Sequence, residues 1–195
     1  MEADWEIETG LQAPVIEPLW EGFIDLRQAP HRVYELEEAR RFTPLAQALV
    51  QLNSPAPHTV LPLDSSSAVW TAKCDLWPLE ESALSDPYAL NAAAEECAAG
   101  LACYLDLLPR AGLVWPELSQ AESWARQAVA RLQAAHLQSK ELHCCRADLV
   151  IRAALAGAVE GFGVTAYLSA CGRDADSAAQ ALDAALTTFA LAVSP

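Results

Sequence analysis

The chain has 195 residues, 53 % of them hydrophobic and 19 % charged. That is enough apolar surface to offset the entropy of ordering one domain, which excludes a disordered chain, and too little length for two full domains. A net charge of −14 argues against a nucleic-acid partner, because phosphate recognition needs clustered cations and no cluster here exceeds Arg40-Arg41.

The chain opens on MEADWEIETG, without the basic and apolar regions of a secretory signal. Residues 42–63, the longest stretch without charge, are broken by prolines and do not offer the run of about 20 apolar residues that a membrane helix needs. The expectation is a cytoplasmic protein with no membrane span. Half of the net charge falls in residues 1–40, which carry ten acidic and three basic residues.

Residues 1–30, with prolines at 14, 18 and 30, read as an extended acidic arm with one short strand at 23–26, anchored on the body by Trp5 and Trp20. Residues 31–195 read as a single α+β domain. Within it, 31–36 is expected as a short strand. Thr43-Pro44 opens a helix with Leu45, Leu49 and Leu52 on one side, which stops at Asn53-Ser54-Pro55. Residues 59–63 and 69–77, separated by Asp64-Ser65-Ser66-Ser67, read as a hairpin. The period of two on 69–77 places Trp70, Ala72, Cys74 and Leu76 toward the core, and Val69, Thr71, Lys73, Asp75 and Trp77 away from it.

Asp86-Pro87 predicts a helix over 86–108, ended by Pro109, with a stripe of Leu90, Ala94, Cys97, Leu101, Leu105 and Leu108. Ser119 and Glu122 have the capping-box spacing, and the helix behind them, to about 137, carries Ala125, Val129, Leu132 and His136 on one side. The two helices are expected to form an antiparallel αα-hairpin. Residues 142–155 read as a long strand, with a helix over 147–160 as the competing reading. A glycine-bearing turn at 157–163 leads to a strand over 164–171 and a second hairpin. Asp174 and Asp176 then cap a helix with Leu182, Ala185, Leu186, Phe189 and Val193 on one face. The expected fold is α+β, a mostly antiparallel sheet built from two hairpins, packed against the αα-hairpin and the C-terminal helix.

Six cysteines without a signal peptide or a C-x-x-C pair point to reduced thiols. His143-Cys144-Cys145 is the most reactive-looking triplet, since an imidazole near a thiol favours the thiolate. On a strand His143 and Cys145 share a face, and with Cys74 they offer a thiol or soft-metal cluster, although the close-spaced ligand pairs of a zinc site are absent. Gly161-Phe162-Gly163-Val164-Thr165-Ala166 matches G-x-G-x-x-A, but the residues after it favour a strand and the motif reads as a hairpin turn. The sequence has neither a G-x-S-x-G nor a P-loop. No cofactor is expected.

The residues favour a non-catalytic cytoplasmic binding protein, an assembly, accessory or regulatory partner of another protein. Its contact candidates are Trp70, Lys73, Asp75 and Trp77. Two alternatives stay open. One is a small-molecule-binding or thiol- or metal-dependent enzyme, using Cys74, His143 and Cys145 in a pocket between sheet and helices. The other is a homo-oligomer joined through the alanine-rich helices.

Overall fold

Alternation of small apolar with polar residues over CRADLVIRAALA and VEGFGVTAYLSACG builds the centre of the molecule. In the computed structural model, which describes residues 1–18, 23–54, 69–84, 97–136 and 142–193, these segments are strands β4 (Cys145–Ala156) and β5 (Val159–Gly172). They pair antiparallel from Cys145↔Ala170 to Ala156↔Val159. The two-residue turn between them is made possible by Gly157, whose φ of 66° lies in the left-handed region that side chains avoid. The strand reading of 142–155 thus holds over the helical one from Cys145 onward, while 142–144 form a turn.

Three further strands complete a five-stranded sheet of order β1-β4-β5-β3-β2, mostly antiparallel. Strand β1 (Glu2–Glu8) lies parallel to β4 at one edge, in register from Glu2↔Arg146 to Glu8↔Arg152. The start of the acidic arm is therefore an edge strand. Ile16 extends this edge through bonds with the main chain of Ala153 and Leu155, both 2.9 Å. The expected strand at 23–26 does not form, and 31–36 is not a strand either. Pro30 instead opens a 3-10 turn, Pro30–Glu35, that buries Val33 and pairs Arg32 with Glu35 at the i,i+3 spacing of a helical turn.

Strand β2 (Val69–Pro78) takes the far edge and pairs antiparallel with β3 (Ala99–Pro109). The helix expected over 86–108 is corrected by β3. Leu101, Leu105 and Leu108 fit a helical stripe, but Leu101, Cys103, Leu105 and Leu107 also alternate. Pairing with β2 on one side and β5 on the other favours the period of two. The remainder of that helix and the strand expected at 59–63 lie outside the described residues. The described partner of β2 is β3, joined to it by a long connection.

The helices are α1 (Glu37–Arg41), α2 (Thr43–Asn53), the short α3 (Glu81–Leu84), α4 (Leu118–His136) and α5 (Ala175–Val193). α4 lies over β1, α5 over β5 and β3, and α2 over β2, with α5 touching both of the other two. The pair of long helices is thus α4 with α5. Leu45, Leu49 and Leu52 from α2, Ala125, Val129 and Leu132 from α4, and Leu182, Leu186, Phe189 and Val193 from α5 meet Cys103, Leu105, Cys145, Leu149, Ile151 and Leu168 in one core. The stripes read for α2 and α5 are buried, as are Ala125, Val129 and Leu132 of α4, whereas His136 at its end is only half-buried.

Side chains fix the start of α5 and the end of α2. At the start of α5, Ser177 N donates to Asp174 Oδ1 at 2.8 Å and Asp174 N donates to Ser177 Oγ at 3.1 Å, a reciprocal cap. The capping box expected at Ser119 is not made, since its hydroxyl donates to Glu117 at 3.3 Å. The Arg110 guanidinium donates to the carbonyls of Leu52, Ser54 (2.6 Å) and Val69 (3.1 Å). A cation thus sits at the C-terminal end of α2 and ties it to the start of β2.

Candidate functional site

All of the packing above uses one side of the sheet. The other side is set by a bulge in β2, where the register shifts between Thr71 and Lys73. An extra residue reverses the alternation beyond it. Cys74 and Leu76 therefore face the helices with Leu105 and Cys103, whereas Trp70, Lys73, Asp75 and Trp77 share the opposite side with Leu108, Asp106, Tyr104 and Ala102. The expected grouping of Trp70 with Cys74 and Leu76 is corrected by this one residue.

Trp70 is not at the surface. It is 0 % exposed in a second, smaller core with Ile16, Ala72, Leu108, Val114, Ala154 and Ala156, which covers one end of the open side. Phe23 meets its ring edge-on at 5.9 Å, and the Arg27 guanidinium stacks 3.8 Å from the ring centroid while paired to Asp25 at 2.8 Å. Trp70 thus pins Ile16, Phe23 and Arg27 to the sheet, and Lys73, Asp75 and Trp77 remain as the contact candidates outside this cover.

Beyond it, three half-buried aromatics run across β2, β3 and β5. Trp77 and Tyr104 have centroids 6.2 Å apart, and Tyr104 and Tyr167 are 6.1 Å apart, all tilted. Beside them runs a chain of polar contacts from edge strand to centre. Arg152 donates to Glu8 at 2.6 Å, to Tyr167 Oη at 3.0 Å and to Thr165 Oγ1 at 3.2 Å, and Thr165 donates to Asp106 Oδ1 at 2.7 Å. Arg152 is only 9 % exposed, so this set satisfies a charge that burial alone would penalise. Burial holds the Asp106 carboxyl above the ordinary range, with the Thr165 bond, Arg152 and Lys73 pulling the other way. Burial, and then the charges of Asp106 and Asp75, push the Tyr104 phenol up as well.

Two hollows flank the aromatic row. One, of about 480 Å³, is lined by Asp4, Glu6, Arg146, Asp148, Arg152 and Tyr167 among others. The other, of about 230 Å³, is lined by Phe23, Glu38, Lys73, Asp75 and Tyr104 among others. Register places Glu2, Asp4, Glu6, Glu8, Asp148, Asp106 and Asp75 on this side, against Arg146, Arg152 and Lys73. The side is acidic and aromatic, with α1 and α2 reaching only the smaller hollow at the β2 edge, through Glu38 and Leu49.

The thiol cluster expected from Cys74, His143 and Cys145 is not assembled. Cys74 on β2 and Cys145 on β4 are separated by β3 and β5, a distance of about 14 Å at the usual strand spacing. Burial pushes both thiols up to about 12. The Cys145 thiol donates to the Ala181 carbonyl at 3.3 Å. His143 precedes β4, is exposed, and lines a third cavity with Cys144 and Cys171. Among the described residues no group of three His, Cys, Asp or Glu side chains is placed to hold a metal ion. His136 ends α4 and accepts a hydrogen bond from the Met1 amino group at Nδ1.

The G-x-G-x-x-A match is neither a nucleotide loop nor a turn, because it lies inside β5. A Cβ at Gly161 would collide with the Trp115 carbonyl, and the absence of one lets Trp115 and Phe162 exchange main-chain bonds of 2.9 and 2.8 Å. The helical reading of 86–108 concealed Tyr104 and Asp106. The alternation Ala102, Tyr104, Asp106 and Leu108 was the signal for them.

Among the described residues no helix is long and apolar enough to cross a membrane. No family model matches the chain, and no curated protein or solved structure is found to be similar to it.

Proposed function

We propose that this chain is a non-catalytic, cytoplasmic binding protein, an accessory or regulatory partner of another protein, and that it holds a basic segment of that partner on the open side of its sheet. The observation that carries this reading is the row Trp77, Tyr104 and Tyr167, left half-buried between two hollows on a side where carboxylates outnumber cations. Aromatic side chains ringed by polar ones are the composition of interface hot spots, since they bring large area at little entropic cost. Seven carboxylates against three cations favour a partner rich in Lys and Arg, and steer its approach.

Affinity capture from the source cells tests this. The tagged chain is expected to recover a specific protein with a basic segment, less of it as salt rises, and little of it once Trp77→Ala and Tyr104→Ala are combined. Capture that is unchanged by the double substitution, or that recovers no specific protein, contradicts the reading.

A further inference from the structure

Three of the six cysteines, Cys97, Cys144 and Cys171, form a buried cluster of their own, with Leu79 and Leu84 packed against it. The Cys97 and Cys171 sulfurs are 2.8 Å apart although the residues are 74 positions apart in the chain. That is well inside a normal sulfur–sulfur contact, and the backbone holds the pair there. Ala98 N donates to Gly172 O at 3.0 Å, which ties together the residues that follow each cysteine, and Cys171 N donates to Cys144 O at 3.1 Å. Cys144 and Cys171 also line a cavity of about 480 Å³ with His143, Arg173, Ser177 and Gln180.

We propose that Cys97 and Cys171 are a redox site, a dithiol that a hydroperoxide entering this cavity converts to a disulfide. In the first step the Cys171 thiolate attacks the peroxide. A sulfur–oxygen bond forms, the oxygen–oxygen bond breaks, and the leaving oxygen departs as water or an alcohol after taking a proton. In the second step Cys97 attacks the resulting sulfenic sulfur. The sulfur–sulfur bond forms, the sulfur–oxygen bond breaks, and hydroxide leaves as water with the proton that Cys97 gives up. Two thiols lose two electrons and two protons, and the peroxide is reduced.

A metal ion suits the pair less well. Two thiolates on one tetrahedral zinc, with bonds of about 2.3 Å, stand about 3.8 Å apart, whereas a disulfide needs about 2.05 Å. The other reading, cysteine as a small buried hydrophobe, accounts for the burial but not for two sulfurs in contact beside a cavity. Burial pushes the Cys171 thiol up, so thiolate is scarce at pH 7. Oxidation is therefore slow there and quickens as pH rises, by about tenfold per unit.

The test treats the full chain with hydrogen peroxide, blocks the remaining thiols under denaturing conditions, and maps the peptides by mass. Four thiols out of six are expected to survive, with one crosslink, Cys97–Cys171, that dithiothreitol reverses. Closing so long a loop is expected to raise Tm by about 5 °C or more. Cys103→Ser is expected to keep the crosslink. Cys97→Ser is expected to lose it and leave a Cys171 sulfenic acid that a dimedone-type reagent labels. If Cys97→Ser does not fold, the wild-type map decides by itself. Survival of all six thiols under conditions that oxidise an exposed thiol overturns the proposal. So do crosslinks scattered over the other cysteines, and a Cys171 sulfinic acid without a crosslink.

Discussion

The two sides of the sheet use the same five strands for opposite ends. Toward the helices the strands present Cys103, Leu105, Cys145, Ala147, Leu149, Val164 and Leu168, all buried, in one continuous dry core. Toward the open side the same strands present Tyr104, Asp106, Arg146, Asp148, Arg152, Thr165 and Tyr167, bound to one another by charge and ring contacts. The first set is explained by stability, because it removes apolar area from water against a close-packed layer. The second set is not, since a solvated sheet side needs neither three aromatics in a row nor a cation buried among carboxylate and hydroxyl partners. That difference is the reason to place recognition on the open side.

Substitutions on the two sides should separate accordingly. The largest effect is expected in the dry core. Phe189→Ala removes a fully buried ring beneath α5 and is expected to cost about 3–5 kcal/mol in urea unfolding. Next comes the covered end of the open side, where Trp70→Ala empties the smaller core and removes the ring on which Phe23 and Arg27 pack. A loss of about 3 kcal/mol is expected, with faster amide exchange in 23–27 than elsewhere. If Trp70→Ala costs as little as a surface change, the cover is not part of the folded unit.

Smaller effects probe the polar chain. Burial holds the Asp106 carboxyl above its usual range, so an unfolded chain gives up this proton before the folded one does. The folded state binds more protons in that window, and stability falls as pH rises through it. Asp106→Asn removes the penalty and keeps an acceptor for Thr165. It is expected to raise Tm by about 2 °C at pH 7 and to lose that advantage as pH falls below about 3.8, the ordinary aspartate value. An Asn variant that is less stable at pH 7 shows instead that attraction to Arg152 and Lys73 outweighs burial. The smallest change in stability is expected from Trp77→Ala, within about 1 kcal/mol, although it should weaken partner binding more than Phe189→Ala does under conditions where both are folded.

Much of the dry side was legible in the sequence and little of the open side was. The stripes of α2, α4 and α5 are long and carry clear start signals such as Thr43-Pro44 and Asp174, and their apolar residues buried as expected. The strand character of 145–156 followed from β-branched and alternating residues. The open side depended on events that leave weak local marks. One bulge residue reversed the facing of Trp70 relative to Cys74. A strand rich in alanine and leucine fitted two periods at once, and its sheet neighbours chose between them. The acidic segment 2–8 found its partner more than 140 residues away, a pairing that no local pattern announces. For the same reason Cys97 and Cys171 were met in the sequence as separate cysteines, and Cys74, His143 and Cys145 as a group that the strand order keeps apart.

The open side is tested most directly by site-specific photocrosslinking in the source cells. A photoreactive phenylalanine analogue replaces Trp77 in one version of the chain and Gln127, exposed on α4, in another. A discrete adduct with a basic protein from position 77 and none from position 127 is expected. An adduct from position 127 with none from 77 would place recognition on the helical side and contradict the assignment.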